Sequence, residues 1–156
     1  MKRIAIIQVR GAIGMKRNVK ETLKLLRLFK KNCCAIVSTT DNVVGMLKVI
    51  KDYVTWGEID KETFKVLLEK RGRLPGNKPL TEPYLKEKMK MNFDQFSDDF
   101  MNLKKNLGDV PGLKRFFRLK LPISGYGREG IKTPYSLGGA LGYRKENIND
   151  LIRRML

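Results

Sequence analysis

DNVVGMLKVIKDYVTWG, residues 41–57, carries a helical signal into an extended one without a break. Val43, Met46, Leu47 and Ile50 fall at i, i+3, i+4 and i+7, a single apolar stripe along a helix, and they read as core. Asp41 stands where an N-cap belongs, with a side-chain oxygen able to accept from a free backbone N–H. Tyr53-Val54-Thr55-Trp56 are strand formers, and the run stops at Gly57. Gly45, inside the helix, costs about 1 kcal/mol relative to Ala. A close approach to the backbone is therefore expected at Gly45, by a neighbouring chain or an RNA backbone. Lys48 and Lys51 lie on the side opposite the apolar stripe.

Upstream, Ile4-Ala5-Ile6-Ile7-Gln8-Val9 is apolar on both faces, which predicts a central strand. The loop after it holds Arg10, Gly11, Gly14, Lys16 and Arg17, where backbone freedom beside positive charge suits a phosphate. Asn18 with Glu21 resembles a capping box, predicting a helix through Lys31. Val19, Leu23 and Leu26, joined by Thr22, Leu25 and Phe29, form its buried face. Ala35–Ser38 is a second strand, so the order to Gly57 is β-α-β-α-β. Asp60 then caps a third helix with Phe64, Leu67 and Leu68 inward and Gly72 after its last turn.

The chain divides accordingly into a β-α-β-α-β core with its third helix, residues 1–72, and an extension, residues 73–156, packed on it. The extension begins with a loop and two short helices, one starting at Thr81-Glu82-Pro83 and one at Ser97-Asp98-Asp99. A strand over Arg115–Leu121 follows, with Phe117, Leu119 and Leu121 on one face. The tract Pro122–Tyr143 is glycine-rich and too long for an ordinary connection, which points to function. Asn149 caps a last helix that packs through Leu151, Ile152 and Met155.

Charge narrows the function class. The 156 residues hold 33 basic and 16 acidic side chains, a net of +17, and no histidine. Residues 1–31 carry ten basic and one acidic, residues 32–109 carry 13 and 12, and residues 110–156 carry ten and three. Two basic ends around a near-neutral middle suit a polyanion binder whose ends converge on one surface. Cys33 and Cys34 are adjacent, so on a strand they face opposite ways and form no disulfide, as expected of thiols in a reducing compartment. With no histidine and no paired-cysteine spacing, no metal, cofactor, catalytic residue or small-molecule substrate is expected. The N-terminal apolar run ends at Val9 and no stretch is long enough to span a bilayer, so a soluble, intracellular protein is expected.

Gly125-Tyr126-Gly127-Arg128-Glu129-Gly130 spells G-x-G-x-x-G after a strand. A dinucleotide site also needs a helix there and a second parallel strand. Pro134 and the short remaining chain leave no room for both. The tract reads better as an extended arm whose backbone lies on RNA, with Gly125, Tyr126, Arg128 and Lys132 reaching phosphates and exposed bases.

Gly45–Val49, Lys51–Ile59, Lys70-Arg71-Gly72-Arg73, Gly138–Arg144 and Ile148–Leu151 together resemble the L-thirty family of large-subunit ribosomal proteins, in its long archaeal and eukaryotic-type (L-seven-like) form. The likeness covers nearly the whole chain. It departs from long-form relatives at Val43-Val44 and around Lys120–Gly125. The resemblance implies an α+β fold with a small, mainly antiparallel, three-stranded sheet, ferredoxin-like in order. It implies a structural, non-catalytic role in the cytoplasmic ribosome, binding large-subunit rRNA near the 5S RNA among neighbouring ribosomal proteins. The RNA-facing set is then Arg10, Gly11, Lys16, Arg17, Gly45, Lys48, Lys51, Arg118, Gly125, Tyr126, Arg128, Lys132, Gly139, Tyr143 and Arg144. The alternative is a free RNA chaperone or rRNA-maturation factor, distinguished by a large pool off the ribosome.

Overall fold

The computed structural model describes residues 2–156. Its elements run β1 (Arg3–Gln8), α1 (Arg17–Leu25), β2 (Cys33–Ser38), α2 (Asp41–Ile50), β3 (Val54–Glu58) and α3 (Lys61–Arg71), then α4 (Glu82–Met89), α5 (Phe93–Met101), β4 (Phe117–Arg118), β5 (Gly142–Tyr143) and α6 (Ile148–Met155). The sheet order is β4-β2-β1-β3-β5, antiparallel at every pairing except β3 with β5. The α+β class and the mainly antiparallel core are as expected. The sheet has five strands rather than three because the extension supplies both edges.

Alternation along β1 explains why that strand is apolar on both faces. Ile4 and Ile6 join Cys33, Ala35 and Val54 under Val19 and Leu23 of α1 and Leu47 and Ile50 of α2. Ala5 and Ile7 join Cys34 and Ile36 under Phe64, Leu67 and Leu68 of α3, Phe96 and Phe100 of α5, and Ile152 and Met155 of α6. The two cysteines are free and belong to opposite faces. Burial, with Cys33 beside it, pushes the Cys34 thiol above its ordinary pKa. Gly57 lies within β3 rather than after it. A Cβ there would sit 2.0 Å from the Lys145 carbonyl oxygen, so only glycine lets the turn before α6 cross the sheet.

Several boundaries differ from expectation. Helix α1 stops at Leu25, because Arg27 takes a left-handed conformation (φ 61°). The Leu28 N–H then donates to Leu23 O at 2.8 Å and the Arg27 N–H to Lys24 O at 2.9 Å, a Schellman closure with arginine in the usual glycine position. Phe29, beyond the closure, is exposed, and so is Leu25, the last residue of α1. The α1 N-cap is Lys16, and Asn18 is inside the helix. Thr40, not Asp41, caps α2, its hydroxyl oxygen accepting from the Val43 N–H.

Helix α5 begins at Phe93, where the Asn92 N–H donates to Gln95 Oε1 at 3.1 Å, and Ser97 is buried mid-helix. Gly72 follows α3 without a left-handed φ. The late strand is only Phe117–Arg118, and Leu121 is exposed. Asn149 lies inside α6 and acts across the chain, accepting from the Asp60 N–H and donating to Glu58 O.

Candidate RNA interface

Antiparallel register gathers one end of the sheet. Gln8 closes β1 opposite Val54, and its carbonyl oxygen accepts the Asn32 N–H at 2.8 Å, one residue before β2. Arg118 pairs with Cys33 at the same end. The Val9 and Arg10 N–H groups both donate to Tyr53 O, which draws the exit of β1 against the end of α2. There the Arg10 guanidinium lies 5.0 Å from the Tyr53 ring centroid and donates to Asp52 O at 3.1 Å. Arg10 is thus half-buried and partly committed.

Gly11, Lys16 and Arg17 are exposed on the loop that leaves β1, with Arg17 paired to Glu21 at 2.8 Å. Gly45, Lys48 and Lys51 are exposed on α2, as the stripe predicts. A Cβ at Gly45 would meet nothing within 4 Å. The glycine therefore serves no packing inside this chain and leaves a smooth surface on the helix.

The glycine-rich tract is not an extended arm. It folds back on itself around Arg144, which is 3% exposed. Its Nε donates to Thr55 Oγ1 at 2.9 Å, and its Nη2 to the carbonyl oxygens of Tyr126 (3.0 Å), Ala140 (3.1 Å) and Gly139 (3.5 Å). The guanidinium also lies 4.5 Å from the Tyr135 ring centroid. Burial holds its pKa below the ordinary arginine value.

Gly139 is packed inside the same knot, where a Cβ would lie 2.1 Å from Thr133 O. Tyr126 is buried with its hydroxyl on Asn32 Oδ1, and desolvation pushes its pKa up to about 12. Arg144, Gly139 and Tyr126 are therefore struts tying the tract to the core, and the expectation that they face RNA is corrected. Contacts such as Arg144 with Thr55, 89 residues apart, and Tyr126 with Asn32, 94 apart, cannot be read from a local glycine pattern. Gly125, Arg128 and Lys132 remain on the outside. Tyr143 is half exposed, its hydroxyl donating to Glu58 Oε1 at 2.5 Å and its ring beside Trp56; the hydrogen bond to Glu58 raises its pKa.

Charge pairing differs between particular cations of this surface and of α3 and α4, although Lys70, Lys78, Lys90 and Lys104 of the middle segment also form no ion pair among the described residues. Among the described residues, Lys16, Lys48, Lys51, Arg118, Arg128 and Lys132 form no ion pair. Across the molecule, Lys61 meets Asp98 at 2.7 Å, Lys65 meets Asp94 at 2.6 Å, and Lys86 meets Glu82 at 3.0 Å. Sequence reasoning missed Lys30, Arg71, Arg73 and Lys114, which converge with Arg118 at the β4 edge. The signal was present in Lys70-Arg71-Gly72-Arg73, but those residues sit in the segment whose net charge is nearly zero. Among the described residues there is no cluster of three or more His, Cys, Asp or Glu able to hold a metal ion, and no helix long and apolar enough to cross a membrane.

A family model described as Ribosomal protein L30p/L7e matches residues 4–54. The chain is 44% identical to the Large ribosomal subunit protein uL30 of Methanopyrus kandleri, over 95% of this chain and 100% of that one. It is 46% identical to the protein of the same name from Nanoarchaeum equitans, over 97% of each chain. The Methanococcus vannielii protein, also of that name, is 46% identical over 97% of this chain and 98% of its own.

Proposed function

The chain belongs to the uL30 family of large ribosomal subunit proteins, and on that premise we propose that it docks on large-subunit rRNA, near the 5S RNA, through the cationic end of its sheet. It is a structural constituent of the large subunit, not an enzyme, and it works in the cytoplasmic ribosome. The observation that supports the RNA-facing surface is the set of six cations without acidic partners, drawn from the β1–α1 loop, α2, β4 and the folded tract. Cations left unpaired in the folded chain are available to displace the counterions of an RNA backbone, and that displacement is the main source of affinity for polyanions. The smooth helix surface at Gly45 supports close approach of a backbone at the same time. Location near the 5S RNA rests on the family alone.

The test is the position of the unmutated protein in a sucrose gradient of a cell extract, followed by cross-linking of the large-subunit fraction. Migration with the large subunit and cross-links to its rRNA near the 5S contact region are expected. A predominant pool at the top of the gradient would instead favour a free chaperone or maturation factor.

A further inference from the structure

We propose that the cleft at the β4 edge of the sheet holds a single unpaired nucleotide of RNA, with its phosphates on the cations and its base against Phe29. The cleft has a volume of about 460 Å³. That lies within the roughly 300–1,000 Å³ usual for small-ligand sites. Five cations line it from three stretches of chain: Lys30 before β2, Arg71 and Arg73 at the end of α3, and Lys114 and Arg118 around β4. None of the five forms an ion pair among the described residues, and no acidic residue lines the cleft. Like charges gathered without a counter-charge repel one another, so the cleft favours an anionic occupant.

The backbone holds this convergence in place. The Lys114 N–H donates to Arg73 O at 2.9 Å, Arg73 also bridges to Pro79, and Arg118 pairs with Cys33. Two of the five cations are arginines at the end of one helix, whose planar forks bind phosphate oxygens in pairs.

The aromatic pair in the wall narrows the choice of anion. Phe29 and Phe116 meet edge to face at 5.4 Å with 77° between their rings. Phe116 is packed against the core, while Phe29 is 51% exposed. The Schellman closure at Arg27 is what turns Phe29 out of the helix pattern into this wall. An exposed ring braced by a second ring, lining one cleft with five cations, is the combination used to hold unstacked bases. An acidic peptide would engage the cations but would have no use for the ring. A duplex would present phosphates but no free base.

This inference rests on the RNA-binding reading above and adds a ligand class to it. It is tested with the full-length protein, a fluorescent oligo(A) hexamer and a blunt RNA duplex, titrated at one fixed salt concentration. Phe29→Ala should weaken hexamer binding about fivefold or more, the lower end of what one stacked base contributes. Its binding to the duplex should be unchanged. Arg71→Gln with Arg73→Gln should weaken hexamer binding and flatten its log–log salt slope by about 1.4, two single-strand phosphate contacts. Circular dichroism of both variants keeps a folding failure from passing as a binding result.

If Phe29→Ala leaves the hexamer titration unmoved, the base pocket is overturned and the cleft is only a phosphate patch. If polyglutamate displaces the hexamer as well as unlabelled oligo(A) does, the occupant is an acidic protein segment and the proposal also fails. Both outcomes are independent of the gradient position of the unmutated protein, which tests the subunit reading.

Discussion

Lys61 and Lys51 are both exposed lysines on helices of the same small protein, yet they stand in opposite electrostatic settings. Lys61, Lys65 and Lys86, on the side built by α3, α4 and α5, each hold a carboxylate within 3.0 Å. The hydrogen bond between Lys65 and Asp94 raises the lysine pKa and lowers that of the aspartate. Among the described residues Lys51, Arg10 and Lys16, around the exit of β1, have no such partner, while Arg17 is paired to Glu21 on its own helix. A count of cations therefore overstates what the first surface offers a polyanion, whereas its net charge, near zero for residues 32–109, already shows the balance. A surface ion pair adds little to stability, but it does neutralise a cation that would otherwise meet a phosphate. On the proposed reading, unpaired cations grouped with the β1 exit, β4 and the folded tract mark the RNA side.

Two basic side chains are taken inside the fold. Arg144 is one, and Arg3 is another. The Arg3 Nε donates to Phe100 O at 3.0 Å, its Nη2 reaches Lys105 O and Asn106 Oδ1, and burial lowers its pKa. The largest predicted effect belongs to this pair. Arg144→Met removes the donor to four oxygen acceptors and should lower unfolding free energy by about 3 kcal/mol or more in a urea titration. Arg128→Met should leave that titration unchanged. If the two variants were equally stable, the distinction between strut and interface inside the glycine-rich tract would collapse.

A smaller effect of the same kind is expected at high pH. Tyr126 has its folded pKa raised to about 12, chiefly by desolvation. A raised folded pKa means that the unfolded chain ionises first. Its stabilisation is complete below the unfolded value of about 10 and is lost as pH rises toward 12, by about 2 kcal/mol in total. Comparing unfolding from pH 9 to pH 12 in the native protein and in Tyr126→Phe isolates this loss, since the lysines titrate in both. Parallel curves would show that Tyr126 is not held in the core.

Gly45 offers a still smaller effect. Nothing in the chain fills the space beside it. Gly45→Ala should therefore raise the stability of the free protein by about 0.5–1 kcal/mol. Gly45→Leu should fold as well but bind large-subunit RNA more weakly. Normal binding by Gly45→Leu would mean that nothing approaches the helix there.

What could be read from the sequence depended on the range of the forces involved. The apolar run Ile4–Val9 showed a central strand because both faces of β1 are covered, and the Val43–Ile50 stripe marked α2 because burial follows helical period. Boundaries were less legible where an unusual residue did the work. Arg27 ends α1 in a left-handed turn normally given to glycine, so Phe29 falls outside the helix whose period the sequence suggests, and Leu25 lies on that helix's exposed side. The start of α5 lay in Asn92 and Gln95, four residues before the more obvious Ser97-Asp98-Asp99. The exposure of the charged candidates was legible where charge sits on local loops and helix faces. The reading failed at Arg144, Gly139 and Tyr126, whose partners include Thr55 and Asn32 from the other end of the chain. The β4 cleft was hidden for the same reason, since Lys30, Arg73 and Lys114 meet only after folding.

If unpaired cations form the footprint, two triple variants must separate. One is Lys16→Gln, Arg128→Gln, Lys132→Gln; the other is Lys61→Gln, Lys65→Gln, Lys86→Gln. Both are titrated against large-subunit RNA at 0.15 M salt, a condition at which three lost phosphate contacts weaken binding by about a hundredfold. The first variant should show a loss of that order and a salt slope shallower by about 3. The second should bind as the native protein does. Equal losses in the two variants would mean that the charge of +17 acts as a diffuse cloud, and the two-surface account would be wrong.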